Sequence, residues 1–283
     1  VSPEGIPVLV RGVPDLTVPL PPAPAPGCTA LLHVFRPYRA RTLRKEDVFP
    51  VAEKGSEAPT RTTPGRLPKA LEKIRAGKPL TIVCWGDSVT VGGDASSPGM
   101  KYVEQFRRML LDAFPMNAPI HVVNVSYGGS NSAQWLRLDP FTDAWFEENP
   151  RWPADQIDFQ RIIDLEPDVL TIEFVNDAGL DEDGVERVYS DIMRRLEPFG
   201  TELVLITPHF TALSMMGADS LRTEETRAYV KGLYEFAERH GCAVADASAR
   251  WAHLWKEGLP YATLLVNSLN HPDDRGHRLF AEE

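Results

Sequence analysis

From Pro68 onward the chain alternates short apolar runs with segments of helical spacing. The runs are LTIVCW (80–85), IHVVNV (120–125), DVLTIEF (168–174), ELVLIT (202–207) and CAVAD (242–246). They are short and mostly rich in β-branched residues, which predicts five buried strands. Between them, residues 68–76, 101–113, 155–165, 182–198 and 222–240 predict helices. In 101–113, Tyr102, Val103, Phe106, Met109 and Leu110 fall on one face with Phe114, while Lys101, Glu104, Arg107 and Arg108 fall largely on the other. Each crossover must return the chain to the same end of the sheet, so this order predicts a parallel five-stranded α/β sheet covered on both faces.

Residues 1–65 have a different pattern. VPLPPAPAPG (18–27) and SEAPTRTTPG (56–65) are rich in proline or small polar residues, and TALLHVF and DVFPV between them read as short strands. The expectation is an N-terminal β extension and linker over 1–65, the remainder of a β domain begun upstream, followed by a main domain over 66–283. The PPAPAP stretch reads as extended and stiff.

Length and composition narrow the class. At 283 residues, 43% hydrophobic and 25% charged, the chain suits one large soluble α/β domain with some extra structure. A formal net charge of -10 argues against nucleic acid or an anionic membrane as the main partner and leaves small neutral or cationic substrates open. No apolar stretch approaches the roughly 18 to 20 residues of a membrane span. The start, VSPEGIPVLVRG, lacks the basic and apolar regions of a signal peptide, so the compartment stays open between cytoplasmic and secreted with a signal removed. Cys28, Cys84 and Cys242 are scattered and odd in number, neither a disulfide framework nor a zinc pattern.

In a parallel sheet the ligand site lies beyond the carboxyl ends of the strands. Gly86, Asp87 and Ser88 follow the first run; NVSYGGSNS, with Asn124, Gly128, Gly129 and Asn131, closes the second; Asn176 and Asp177 follow the third. NSLNHPDDRGH near the end of the chain adds His271 and His277. These types match acyl transfer. A serine hydroxyl needs a base within hydrogen-bond reach, and a developing oxyanion needs fixed donors such as a backbone N–H at a glycine and an asparagine amide. Taken alone, Ser88 could equally cap the segment that follows, and the glycines could be turn residues only. No G-x-x-x-x-G-K, no G-x-G-x-x-G and no metal-ligand spacing occurs, so neither cofactor nor metal is expected.

Four blocks in order, GDS (86–88), NVSYGG (124–129), ND (176–177) and HPDDRGH (271–277), resemble those of the SGNH, or GDSL-type, hydrolases over roughly residues 68–283. The resemblance implies a three-layer α/β/α sandwich with five parallel strands. It implies Ser88 as nucleophile and His271 as general base and acid. The oxyanion hole would comprise the N–H groups of Ser88 and Gly129 and the side chain of Asn176, with Asp87 ordering the turn and Asp177 beside it in support. One departure is visible: the aspartate the family usually carries three residues before the histidine is Ser268 here. The expectation is a Ser-His dyad whose imidazole is oriented by a main-chain carbonyl, with Asp273 and Asp274 as the less favoured acids.

Other polar candidates have plainer readings. His209 reads as structural or substrate-contacting, His277 as part of the last helix, and Asp246 as a helix cap. Trp135, Trp145 and Trp152 read as packing residues or as a platform for a sugar ring or acyl chain. The leading function is a serine esterase removing short acyl groups, acetyl first, from carbohydrate hydroxyls, with an oligosaccharide or small-molecule ester as partner. A lipase or thioesterase for longer chains, or a non-catalytic carbohydrate-binding protein that retains the fold, are the alternatives.

Overall fold

The computed structural model describes residues 1–14, 21–36, 39–44, 47–51, 67–115, 119–216 and 225–283. Five parallel strands, β3 (Leu80–Gly86), β4 (Ile120–Ser126), β5 (Val169–Glu173), β6 (Glu202–Ile206) and β7 (Ala243–Ala245), form one sheet in the order β4-β3-β5-β6-β7. β1 (Leu32–Val34) and β2 (Val48–Pro50) form a separate antiparallel pair. The expected fold class is therefore borne out.

Side chains alternate along β3 into two cores, as a strand covered on both faces requires. Val83 and Trp85 join one, packed with helices α4 (Ser132–Leu136), α5 (Asp143–Glu148), α6 (Gln160–Ile163), α7 (Glu182–Leu196) and α9 (Ala228–His240). Leu80, Ile82 and Cys84 join the other, with α1 (Pro68–Arg75), α3 (Tyr102–Ala113), α10 (Ala247–Lys256) and α11 (Asp274–Glu282). Two short helices, α2 (Ser88–Val91) and α8 (Leu213–Met216), sit in the loops after β3 and β6. Cys84 and Cys242 are buried, and burial pushes the Cys84 thiol up to about 11.

Two helices are shorter than expected. The helix expected over 155–165 is only α6, because Gln156 and Ile157 turn back to the Pro153 carbonyl and the Asp158 side chain accepts from the Gln160 N–H. The helix expected over 222–240 begins at Ala228, and residues 222–224 lie outside the described residues. The expected linker at 56–65 also lies outside them. The short β1-β2 sheet docks onto the main body: Phe49 is buried against Trp255 and Tyr261.

The topology explains where a site can form. After β3 the chain moves to β4 on one side and then crosses to β5 on the other, so the carboxyl end of β3 lies at the point where strand order reverses. The GDS turn occupies that end.

Candidate active site

Gly86 ends β3 where no side chain fits. A Cβ there would lie 2.1 Å from Thr90 Oγ1 and 2.2 Å from the Glu173 carbonyl oxygen. The chain can therefore turn sharply against β5. Asp87 then caps α2: its Oδ1 accepts from the Val89 N–H at 3.0 Å, and its Oδ2 accepts from the Asn176 N–H at 3.0 Å. One buried carboxylate thus fixes both the serine turn and the loop after β5. Ser88 is the first residue of α2, so its N–H has no acceptor within the helix.

The second block lies alongside. A Cβ on Gly128 would come 3.8 Å from the Ser88 Cβ, and Gly129 has φ +80°, a conformation that favours glycine. Asn176 donates one amide hydrogen to the Ser130 carbonyl at 3.1 Å and retains the other. Asp177 is buried, and its Oδ1 accepts from the Ser132 N–H at 3.0 Å, joining the third block to the start of α4. Asn124 donates to the Thr90 carbonyl at 2.6 Å, and Asn131 caps α4.

His271 arrives from the far end of the chain. Its Nε2 lies 3.0 Å from Ser88 Oγ, and its Nδ1 lies 2.8 Å from Asp94 Oδ2. The expectation of a neutral carbonyl at Nδ1 is corrected: the partner is a carboxylate, supplied by the loop after α2. Asp273 and Asp274 are engaged elsewhere. Asp273 caps α11, accepting from the N–H groups of Arg275 and Gly276, and Asp274 binds Ser96. Ser268 is exposed with φ +58°, in a loop organised instead by Asn267. The Asn267 Oδ1 accepts from the N–H groups of Leu269, Asn270 and His271 at 2.9, 2.9 and 3.0 Å.

Asp94 was not among the sequence candidates. It lies 177 positions from His271, beyond any local spacing. The signal available was GGD directly after the serine helix, a turn composition with an acid at its tip. Asp94 has φ +61°, which aspartate tolerates better than most residues.

Beneath the serine lie three buried acids. Burial pushes Asp177 up to about 6. Burial first, and the neighbouring Asp87 second, raise Glu173 well above the usual carboxylate range; burial also raises Asp87. Asp87 accepts two backbone N–H bonds. Glu173 Oε2 accepts from the Thr90 hydroxyl at 2.9 Å, and its Oε1 has no hydrogen-bond partner among the described residues. Glu173 therefore holds its proton more tightly than Asp87, whose carboxyl burial lifts to about 7 against the pull of its N–H donors.

The remaining candidates separate by environment. His209 is buried, donates from Nε2 to the Asn270 carbonyl at 2.7 Å, and is held neutral by burial, which lowers its pKa to about 3. It supports the His271 loop. Asp246 caps α10. Trp135 is a core residue and Trp145 packs between Phe141 and Phe146. Only Trp152 nears the site: a Cβ on Gly129 would come 3.2 Å from its ring, and Arg151 lies over the ring at 4.7 Å from the centroid. A cleft of about 260 Å³ opens beside Asn176, lined by Val175, Ala178, His209, Met215, Met216 and Val230 among others. Among the described residues no cluster of three or more His, Cys, Asp or Glu is arranged to hold a metal ion, and no helix is long and apolar enough to cross a membrane.

No curated protein matches the chain. Among solved structures, a two-domain esterase (CEX) active on acetylated mannans shares 21% identity at a TM-score of 0.53, covering 77% of this chain and 50% of that one. The same esterase co-crystallised with mannopentaose gives a TM-score of 0.54, again at 21% identity, with coverage of 77% and 51%. The chain thus spans about half the length of that esterase. LAE5, an alpha/beta hydrolase enzyme from the metagenome of Lake Arreo, Spain, shares 20% identity at a TM-score of 0.50, covering 71% of this chain and 91% of that one. At these identities the likeness is one of fold. The GDSL-like Lipase/Acylhydrolase family model matches residues 84–279, from the end of β3 into α11, and the chain belongs to that family.

Proposed function

We propose that this chain is a serine ester hydrolase that removes short acyl groups, acetyl first, from carbohydrate hydroxyls. The observation that carries the reading is the unbroken chain Ser88 Oγ to His271 Nε2 at 3.0 Å and His271 Nδ1 to Asp94 Oδ2 at 2.8 Å. Ser88 Oγ attacks the ester carbonyl carbon while His271 Nε2 takes its proton. Charge develops on the carbonyl oxygen, where the N–H groups of Ser88 and Gly129 and the remaining amide hydrogen of Asn176 serve as donors. The proton on Nε2 passes to the departing alcohol, leaving an acyl-Ser88. Water, deprotonated by the same nitrogen, then releases the carboxylic acid and restores Ser88. Asp94 accepts from Nδ1–H throughout, which fixes the tautomer and stabilises the imidazolium.

The carbohydrate preference draws on the fold shared with an esterase active on acetylated mannans and on Trp152 beside Gly129. The acetyl preference and the longer-chain alternative are separated by the cleft beside Asn176. Its Val175, Ala178, Met215, Met216 and Val230 lining suits an acyl chain and favours the lipase or thioesterase reading if it is open to the bound ester. The non-catalytic alternative rested on the missing acid at position 268, and the Asp94 carboxylate removes that ground. Hydrolysis of p-nitrophenyl acetate and of acetylated manno-oligosaccharides by wild type and Ser88→Ala tests the proposal. Equal rates for the two proteins would exclude the serine mechanism.

A further inference from the structure

The base and the acid of the site come from two loops, and one helix is tied to both. His271 leads directly through Pro272 into the Asp273 cap of α11. From the first turn of α11, Asp274 reaches back to the loop that carries Asp94. Its Oδ1 accepts from the Ser96 N–H at 2.9 Å, and its Oδ2 accepts from the Ser96 hydroxyl at 2.5 Å. His277, three residues on, donates from Nε2 to the Gly93 carbonyl at 3.2 Å. Asp94 lies between these two anchor points.

His277 is suited to that bond. Its ring is buried and stacks on Tyr102, with centroids 6.4 Å apart and planes at 16°. Its Nδ1 has no partner among the described residues, so the proton sits on Nε2, where the Gly93 carbonyl accepts it. Burial lowers its pKa, which keeps the ring neutral. The loop it holds also backs the catalytic imidazole: a Cβ on Gly93 would lie 3.0 Å from Cε1 and 3.1 Å from Nδ1 of His271. The Asp94 side chain is 42% exposed, so the backbone of its loop, not surrounding packing, determines where the carboxylate sits.

We infer that Asp274 is a positioning residue for the acid of this site, with His277 as its second anchor: together they hold residues 93–96 so that Asp94 meets Nδ1 of His271. The inference rests on the serine esterase reading above. It differs from the plain role of an acidic residue in the first turn of a helix, which stabilises the helix dipole and nothing further.

A double-mutant cycle on p-nitrophenyl acetate separates these roles. Asp274→Ala is expected to lower kcat roughly tenfold, since small displacements of catalytic groups are costly, with KM within about twofold of wild type. Asp274→Asn is expected to recover most of the loss, because its amide oxygen can accept from the Ser96 N–H while its amide N–H donates to the hydroxyl. In an Asp94→Gly background, which tolerates φ +61° and presents no carboxylate, Asp274→Ala is expected to cost less than about twofold. Ser96→Ala leaves α11 unaltered and reports the same contact should Asp274→Ala fold poorly; a fall in kcat of about threefold is expected. Equal losses from Asp274→Ala with and without Asp94, or wild-type rates for both Asp274→Ala and Ser96→Ala, would overturn the role of Asp274 alone. A Ser88→Ala protein as active as wild type would instead overturn the esterase reading and this inference with it.

Discussion

The Asp94 carboxylate lies 2.8 Å from Nδ1 of His271 across 177 residues of chain, in the position that Ser268 would leave without an acid. Loss of a buried triad aspartate costs on the order of 10⁴ in turnover. Asp94 is 42% exposed and His271 23% exposed, so water screens part of the interaction. Asp94→Asn, which keeps the shape and tolerates the same backbone conformation, is expected to lower kcat by about 10² to 10³. Steady-state kinetics with circular dichroism as a folding control measure it; activity within tenfold of wild type would assign the orientation of His271 to something else.

Asn176→Ala removes one donor of the proposed oxyanion hole and the bond to the Ser130 carbonyl, and turnover is expected to fall roughly 100 to 1,000-fold. Gly129→Ala is expected to lose both activity and stability. The new Cβ would enter a φ of +80° and meet the Trp152 ring at 3.2 Å, displacing the neighbouring N–H donor. Thermal unfolding separates the two variants: the midpoint should drop clearly only for Gly129→Ala.

Acyl-chain length distinguishes the substrates. With p-nitrophenyl esters of two to eight carbons, kcat/KM is expected to be highest at acetyl. Each methylene buried in a receiving pocket contributes about 0.8 kcal/mol. A steady rise towards octanoate would mean that the cleft lined by Val175, Met215 and Met216 receives the chain, and would favour the lipase or thioesterase reading.

Stability should depend on the buried acids. Asp177 is raised from 3.8 to about 6 in the folded protein, so the folded state binds the proton more tightly than the unfolded chain. Its contribution is therefore full below about pH 4 and is lost as pH rises through 6, with a limiting slope of about 1.4 kcal/mol per pH unit for one proton. Asp177→Asn can still accept from the Ser132 N–H, and is expected to flatten this part of the profile. Urea unfolding between pH 4 and 7 tests it; an unchanged slope in the variant would show that Asp177 carries no such linkage.

Much of this protein was legible in its sequence because the relevant signals are local. Val83 and Trp85 against Ile82 and Cys84 report a strand buried on both faces, and β-branched runs separated by amphipathic segments leave a parallel sheet as the solution. The strand ends follow directly, so Ser88, Gly129 and Asn176 could be named as candidates from the pattern, and the ordered blocks that resemble a hydrolase family added His271. Their spacing in the chain is set by the lengths of strands and helices, which periodicity reveals.

Tertiary structure alone decided the acid. A carboxylate on an exposed turn has no periodicity and no burial signature, and its partner is fixed only when α11 packs beside the loop after α2 and draws Ser96 and Gly93 towards Asp274 and His277. The same holds for Trp135 and Trp152, which sequence leaves alike but whose surroundings send Trp135 to the core and Trp152 to the rim. Sequence determines which residues must be buried and which strands must pair, because hydrophobic pattern and backbone hydrogen bonding act along the chain. Which polar side chains meet across it depends on how distant loops are held in register, and that is a property of the packed molecule.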